Sequence, residues 1–209
     1  MLDLVLPIEC GGCGAPSTRW CAACAAELVV RPDEPHVITP RQDPGVPVLA
    51  LGRYAGTRRQ AIVGLKEHGR TDLVPPLAGA VAAALHTLID WGLIVPPLTV
   101  VPAPTRSLAA RRRGGDPVAK IARAATAGLP GVGVEPVLTM RAFTRDSVGL
   151  SSAQRQRNVV GRVRQRAPVR GEAVVFDDVV TTGATAAEAV RVLQTSGTYV
   201  SAVLAIAHA

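Results

Sequence analysis

Residues 173–186, Ala-Val-Val-Phe-Asp-Asp-Val-Val-Thr-Thr-Gly-Ala-Thr-Ala, constrain this chain more than any other stretch. The run Ala173, Val174, Val175, Phe176 has the length and β-branched content of a strand buried in a parallel sheet. It ends in two adjacent carboxylates, Asp177 and Asp178. A short loop follows, with Thr181, Thr182, Gly183, Ala184 and Thr185, and then an Ala-rich helical segment to about Gln194. Such a loop offers backbone N–H groups and hydroxyls to a phosphate, and the new helix adds its positive end. Gly183 allows close backbone approach. The carboxylates repel a phosphate and suit neutral hydroxyls or a metal ion beside it. The pattern therefore predicts a site for a phosphorylated sugar, with phosphate at one end and a ribose diol at the other.

All four cysteines fall within fifteen residues, as Cys10-x2-Cys13 and Cys21-x2-Cys24. Two such knuckles at close range are the framework of a tetrahedral four-thiolate zinc site. Four thiolates leave no open coordination position, so the expected zinc is structural. Segment 1–30 is too short for a core of its own, and metal is expected to order it. Residues 31–45 are rich in proline and read as a linker, and 46–209 as the main domain. His36, His68, His86 and His208 have no metal-ligand spacing.

The chain has 209 residues, 48% of them hydrophobic, which is ample for one α/β core plus an appendage. No run of eighteen or more apolar residues and no basic leader is present, so a cytoplasmic protein is expected. The net charge is +7, unevenly placed. Residues 101–170 carry fourteen Lys and Arg against Asp116, Glu135 and Asp146, an excess of eleven positive charges. A field of that size favours a polyanion such as pyrophosphate, a nucleotide or nucleic acid. Only one aromatic, Phe143, lies in this region, which argues against stacking on single strands.

The remaining pattern alternates. Strands are predicted at Val46–Tyr54, Leu98–Val101, Val134–Met140 and Tyr199–Ala207. Helices are predicted at Thr57–His68, Pro75–Asp90, from Pro117 to about Ala127, and at Ser151–Val163. Lys66 and Arg70 read either as neutralising a helix C-terminus or as anion ligands. Alternating strands and helices predict a doubly wound parallel sheet. Ligands of such sheets sit at the carboxyl ends of the strands, which places 102–114 and 177–185 on one edge.

The 173–186 segment resembles the signature of type I phosphoribosyltransferases, an apolar strand, Asp-Asp, then Thr-Thr-Gly-x-Thr, which binds phosphoribosyl pyrophosphate (PRPP). The order of further features extends the resemblance over essentially the whole chain. They are the four-cysteine segment, Lys66-x-x-Gly69-Arg70, Val101-Pro102-x-Pro104, Arg113-Gly114, and Asp146-Ser147-Val148-Gly149-Leu150-Ser151 with Arg155 and Asn158. Together they are similar to the ComF family of phosphoribosyltransferase-like proteins. The resemblance implies that PRPP binds with Mg2+ and that phosphoribosyl passes to an acceptor. Asp177 and Asp178 would hold the ribose hydroxyls and act catalytically, and Thr181–Thr185 would hold the 5′-phosphate. Pro102, Ala103, Arg106, Arg111, Arg112 and Arg113 would bind pyrophosphate, and a flexible loop with Arg145, Asp146 and Ser147 would close over PRPP. It also implies a link to DNA uptake in competent cells, with nucleic acid or competence-machinery proteins as partners. The alternatives are a non-catalytic PRPP or nucleotide-binding regulator and a nucleic-acid-binding factor. The chain departs from the family at Gly115-Asp116-Pro117, and little chain is expected after the last strand to form a hood over an acceptor.

Overall fold

The computed structural model describes residues 8–105, 115–140 and 161–209. Its centre is a six-stranded sheet in the order β1-β2-β8-β7-β3-β4. These strands are β1 His36–Ile38, β2 Val48–Ala50, β3 Leu98–Pro102, β4 Val132–Val134, β7 Glu172–Val180 and β8 Tyr199–His208. All neighbours pair in parallel except β1, which runs antiparallel to β2. The sheet is mostly parallel and mixed α/β, as the alternation predicted. A separate antiparallel pair joins β5 Leu138–Met140 to β6 Val163–Gln165.

Apolar side chains cover both faces. On one face Val174, Phe176, Leu204 and Val100 pack with Ile62 and Leu65 of α2 (Gly56–Glu67). Leu77, Val81 and Leu85 of α3 (Val74–Asp90) and Ile121 of α4 (Pro117–Thr126) complete that layer. On the other face Val175, Val203 and Val101 pack with Ala186, Ala189, Val190 and Leu193 of α5 (Ala184–Thr195). Burial on both faces is what the unbroken Ala173–Phe176 run requires. The helical stretch Thr71–Asp90 is long and apolar enough, at mean hydropathy 1.4, to cross a membrane by length and composition. Here its Leu77, Val81, Leu85 and Leu88 stripe is wholly buried in the core.

Four expectations change. The stretch 31–45, read as a linker, contributes β1, with Val37 paired to Leu49 at the sheet edge. The predicted strand Val134–Met140 is two strands in two sheets. Pro136 has no N–H to donate, and the chain leaves β3 after Glu135 N–H bonds the Val100 carbonyl at 3.1 Å. Val163, read as the end of a helix, opens β6, while residues 151–160 lie outside the described set. Finally, β7 does not end at the acidic pair but runs through it to Val180, because β8 keeps pairing as far as Val180 with His208.

The Gly115-Asp116-Pro117 departure has a local cause. Asp116 is the N-cap of α4, its carboxylate accepting the Val118 and Ala119 N–H groups, and Pro117 supplies a fixed φ in the first turn. The other carboxylate oxygen accepts the Thr105 hydroxyl at 2.9 Å. Thr105 and Asp116, which flank residues 106–114 in the chain, are thereby tied together near the carboxyl end of β3.

Candidate functional site

Successive strand residues point to opposite faces. Asp178 follows Val174 and Phe176 toward the α2 face. The alternation breaks toward the end of β7, where Val179 packs with the α2 layer and Val180 with the α5 layer, and the Asp177 carboxyl lies beside that of Asp178 within reach of the Lys66 charge. Asp178 is buried, with one oxygen accepting the Val179 N–H at 2.8 Å. Its other oxygen forms an ion pair with Lys66 from the last turn of α2. Asp177 accepts the N–H of Asp178 at 2.8 Å. Burial, and then the charge of Asp178, push the Asp177 pKa well above the usual carboxylate range, and the Lys66 charge opposes this only in part.

The chain then turns. Thr182 Oγ1 accepts the Ala184 N–H at 3.4 Å, and Gly183 adopts φ +82 at the start of α5. The helix has no acidic residue in its first turn, and Gly183 at its N-cap has no side chain to offer. The exposed Thr181 and the half-buried Thr182 and Thr185 thus surround a helix start that carries no acidic residue, an arrangement suited to an anion. Pro102 and Ala103 lie next to it, the Ala103 N–H bonding the Phe176 carbonyl at 2.7 Å. The structure thus brings Pro102, Ala103, Asp177, Asp178 and Thr181–Thr185 to one edge. Arg106, Arg111, Arg112, Arg113, Arg145, Asp146 and Ser147 lie outside the described residues.

Residues 39–42 flank this turn, which the sequence did not announce. Gln42 N–H bonds the Thr182 carbonyl at 2.9 Å. A cavity of about 410 Å3 opens beside the turn, lined by Ile38, Thr39, Pro40, Arg41, Val180, Thr181, His208 and Ala209. The stretch read as a linker thus forms one wall of this cavity. His208, given no role from its spacing, lines the same cavity. A Cβ on Gly183 would stand 2.5 Å from the Gln42 carbonyl oxygen and 2.7 Å from Pro40 Cβ. Gly183→Ala combines that clash with a left-handed backbone, and a loss of about 2–4 kcal/mol is expected. Denaturant unfolding checks it, and a loss below about 0.5 kcal/mol would contradict the packing.

The second cluster is Cys10, Cys13, Cys21 and Cys24, whose sulfurs all lie within 4.8 Å of one another. Cys13 and Cys21 Sγ are 3.6 Å apart. A Zn–S bond of about 2.3 Å sets tetrahedral S···S edges of roughly 3.8 Å, so the four thiols are placed to bind a metal ion such as zinc. Burial resists charge on Cys10, but the N–H groups of Cys13, Gly12 and Cys21 outweigh it and draw the thiol down to about 6. Burial pushes Cys24 up to about 12, although the Thr57 hydroxyl bonds its sulfur at 3.5 Å. Four crowded sulfurs cannot all ionise without a cation among them, which is the chemistry a bound metal supplies.

α1 (Ala22–Leu28) starts at Cys21 as N-cap, whose sulfur accepts the Cys24 N–H. Its Leu28 joins the main core, so the cysteine segment is docked on the domain. Arg70 clasps it, donating to the Glu9 carbonyl at 2.8 Å and the Arg19 carbonyl at 3.3 Å. Asp72 orients the guanidinium at 2.6 Å. Arg70 thus serves the cysteine segment rather than an anion at the acidic edge. Arg70→Met is expected to cost about 2 kcal/mol and to speed metal release several-fold, read by chromophoric chelator kinetics. An unchanged release rate would remove the clasp.

No family model and no curated protein matches the chain.

Proposed function

We propose that this chain is a phosphoribosyltransferase-like protein of the ComF kind, with a sheet of the type I phosphoribosyltransferase class and a structural zinc in its N-terminal segment. It binds PRPP with Mg2+ and transfers phosphoribosyl to an acceptor with release of pyrophosphate. The observation that carries the reading is the contiguity of acidic pair, hydroxyl-bearing turn and helix N-terminus at the carboxyl end of the central strand β7. A phosphate and a diol of one ribose phosphate match that order of chemistry.

In this reading the first-turn N–H groups of α5 and the hydroxyls of Thr181, Thr182 and Thr185 hold the 5′-phosphate. Asp177 and Asp178 accept hydrogen bonds from the ribose hydroxyls and stabilise positive charge developing at C1. Pyrophosphate lies toward Pro102 and Ala103, with Arg106 and Arg111–Arg113 as the charged donors. Mg2+, held with the pyrophosphate and by Asp177, would neutralise the leaving group. The cavity bordered by Arg41 and His208 is where an acceptor would enter. A four-thiolate zinc site requires reduced cysteines, which fits a cytoplasmic location.

Calorimetric titration of PRPP with Mg2+ into wild type and into Asp177→Asn/Asp178→Asn tests the reading. Saturable binding by wild type and at least tenfold weaker binding by the folded variant are expected. No binding by the folded, zinc-loaded wild type would defeat it. Pyrophosphate release with candidate acceptors then separates an enzyme from a non-catalytic regulator. A nucleic-acid role linked to DNA uptake would show as duplex affinity falling steeply with salt. The cysteine segment gives it little support, since Arg19 there is opposed by Glu9 and Glu27.

A further inference from the structure

Lys66 stands out in this chain before any geometry is considered. Of 23 basic residues only two are lysine, Lys66 and Lys120. At position 66 the side-chain positive charge matters, because it reaches from α2 to a buried carboxylate of the sheet. Asp178 spends one oxygen on the Val179 N–H and the other on Lys66. The Lys66 side chain keeps 32% of its surface exposed while that of Asp178 keeps 5%, so the cation is supplied from the solvent side of the site. The two carboxylates are thus unequal. Asp178 is paired directly with the ammonium, whereas Asp177, whose carboxyl lies beside that of Asp178, only feels the Lys66 charge.

We infer that Lys66 is a positioning and selectivity residue of the acidic edge: it is the built-in counter-ion of Asp178, and it keeps a divalent metal from bridging Asp177 and Asp178. The consequence for the site is specific. Asp178 stays an acceptor for a neutral hydroxyl, and a metal ion reaches the edge only with an anionic ligand that brings its own oxygens, leaning on Asp177 alone. Without Lys66 the adjacent carboxylates would form an ordinary two-carboxylate site for a hard cation. The inference deepens the PRPP reading by naming the residue that sets the metal's place. It does not share that reading's test, because the probe is a metal without PRPP.

The experiment titrates Mn2+ alone into the zinc-loaded full-length chain, followed by the electron-paramagnetic signal of free Mn2+. Wild type, Lys66→Gln, Lys66→Arg and Lys66→Gln/Asp178→Asn are compared. Wild type and K66R are expected to bind Mn2+ only in the millimolar range, K66Q at least tenfold more tightly, and the double variant as weakly as wild type. A folded K66Q within twofold of wild type would overturn the inference, as would K66R binding as tightly as K66Q. If K66Q does not fold, the wild-type protein still decides. With two lysines, amine labelling read by mass spectrometry reports Lys66 against Lys120 as an internal standard. Labelling of Lys66 at least tenfold slower than Lys120 and unchanged by 5 mM Mn2+ (roughly a saturating excess for an ordinary carboxylate site) supports the inference. Acceleration by Mn2+ means that the metal displaces the lysine from Asp178, and overturns it. Failure of PRPP to bind would leave all of these readouts unaffected.

Discussion

Stripping the metal from the four-cysteine cluster is expected to unfold more than the cysteine segment. Zinc at a four-thiolate site contributes about 10–16 kcal/mol of apparent binding free energy at neutral pH, much of it folding free energy. Gly11 packs against Leu73, and Gly12 sits against Cys24 and Thr57 with no room for a Cβ. Leu73 is fully buried, and Leu28 is a member of the main core. Loss of the knuckles therefore uncovers apolar surface at the junction of α2 and α3. Treatment with a strong chelator, or Cys24→Ser, should lower the midpoint of thermal unfolding by more than 10 °C, an effect of roughly 3 kcal/mol or more for a chain this size. One zinc per chain by elemental analysis should accompany the intact state. A chelated protein with an unchanged midpoint and protected amides over residues 8–30 would show that packing and the Arg70 clasp suffice without metal.

Neutralising the two acids one at a time should have opposite effects on stability and a common effect on ligand binding. Asp177 has its pKa raised in the folded chain, by burial first and the Asp178 charge second. Between the unfolded value, about 3.9, and that raised value, the native state holds a proton the unfolded state has lost. Stability therefore falls as pH rises through this window. Asp177→Asn removes the penalty, so the ligand-free variant should be more stable than wild type at neutral pH and lose this part of the pH slope. Asp178→Asn instead takes the partner from Lys66. The pair lies between the exposed and buried regimes, and a loss of about 1–3 kcal/mol is expected. Both variants should weaken PRPP binding at least tenfold. Urea titrations from pH 4 to 8 read the difference between each variant and wild type. That difference cancels Asp72 and Glu188, whose lowered pKa values, set by Arg70 and Arg191, cost stability as pH falls. A destabilised Asp177→Asn at pH 7.5 would contradict the assigned environment of Asp177. Gain of stability with loss of binding is the signature of a residue kept for ligand rather than for fold.

Much of the architecture was legible because it rests on local chemistry. The Ala173–Phe176 run demanded a two-sided strand, the helices α2, α3 and α4 began and ended within a residue or two of their expected limits, and two Cys-x2-Cys knuckles demanded a metal-sized cluster. The acidic pair, the Thr-Thr-Gly turn and the start of α5 are consecutive in the chain, so their proximity needed no tertiary information. Pro136, which divides Val132–Val134 from Leu138–Met140, was visible too, but only pairing shows that the two halves join different sheets.

What sequence alone determined is everything whose partners are near in the chain: strand, turn and helix at 173–195, the knuckles at 10–24, and the Asp116-Pro117 helix start. The tertiary structure decided what depends on distant partners. It paired Lys66 with Asp178, 112 positions away, turned Arg70 from the acidic edge to the carbonyls of Glu9 and Arg19, and laid Pro40 and Gln42 against Gly183. The physical reason is that local propensities set which way each element runs, while the neighbours of a side chain are chosen by how the packed layers stack, and a single charge on a helix face carries no mark of the strand it will meet.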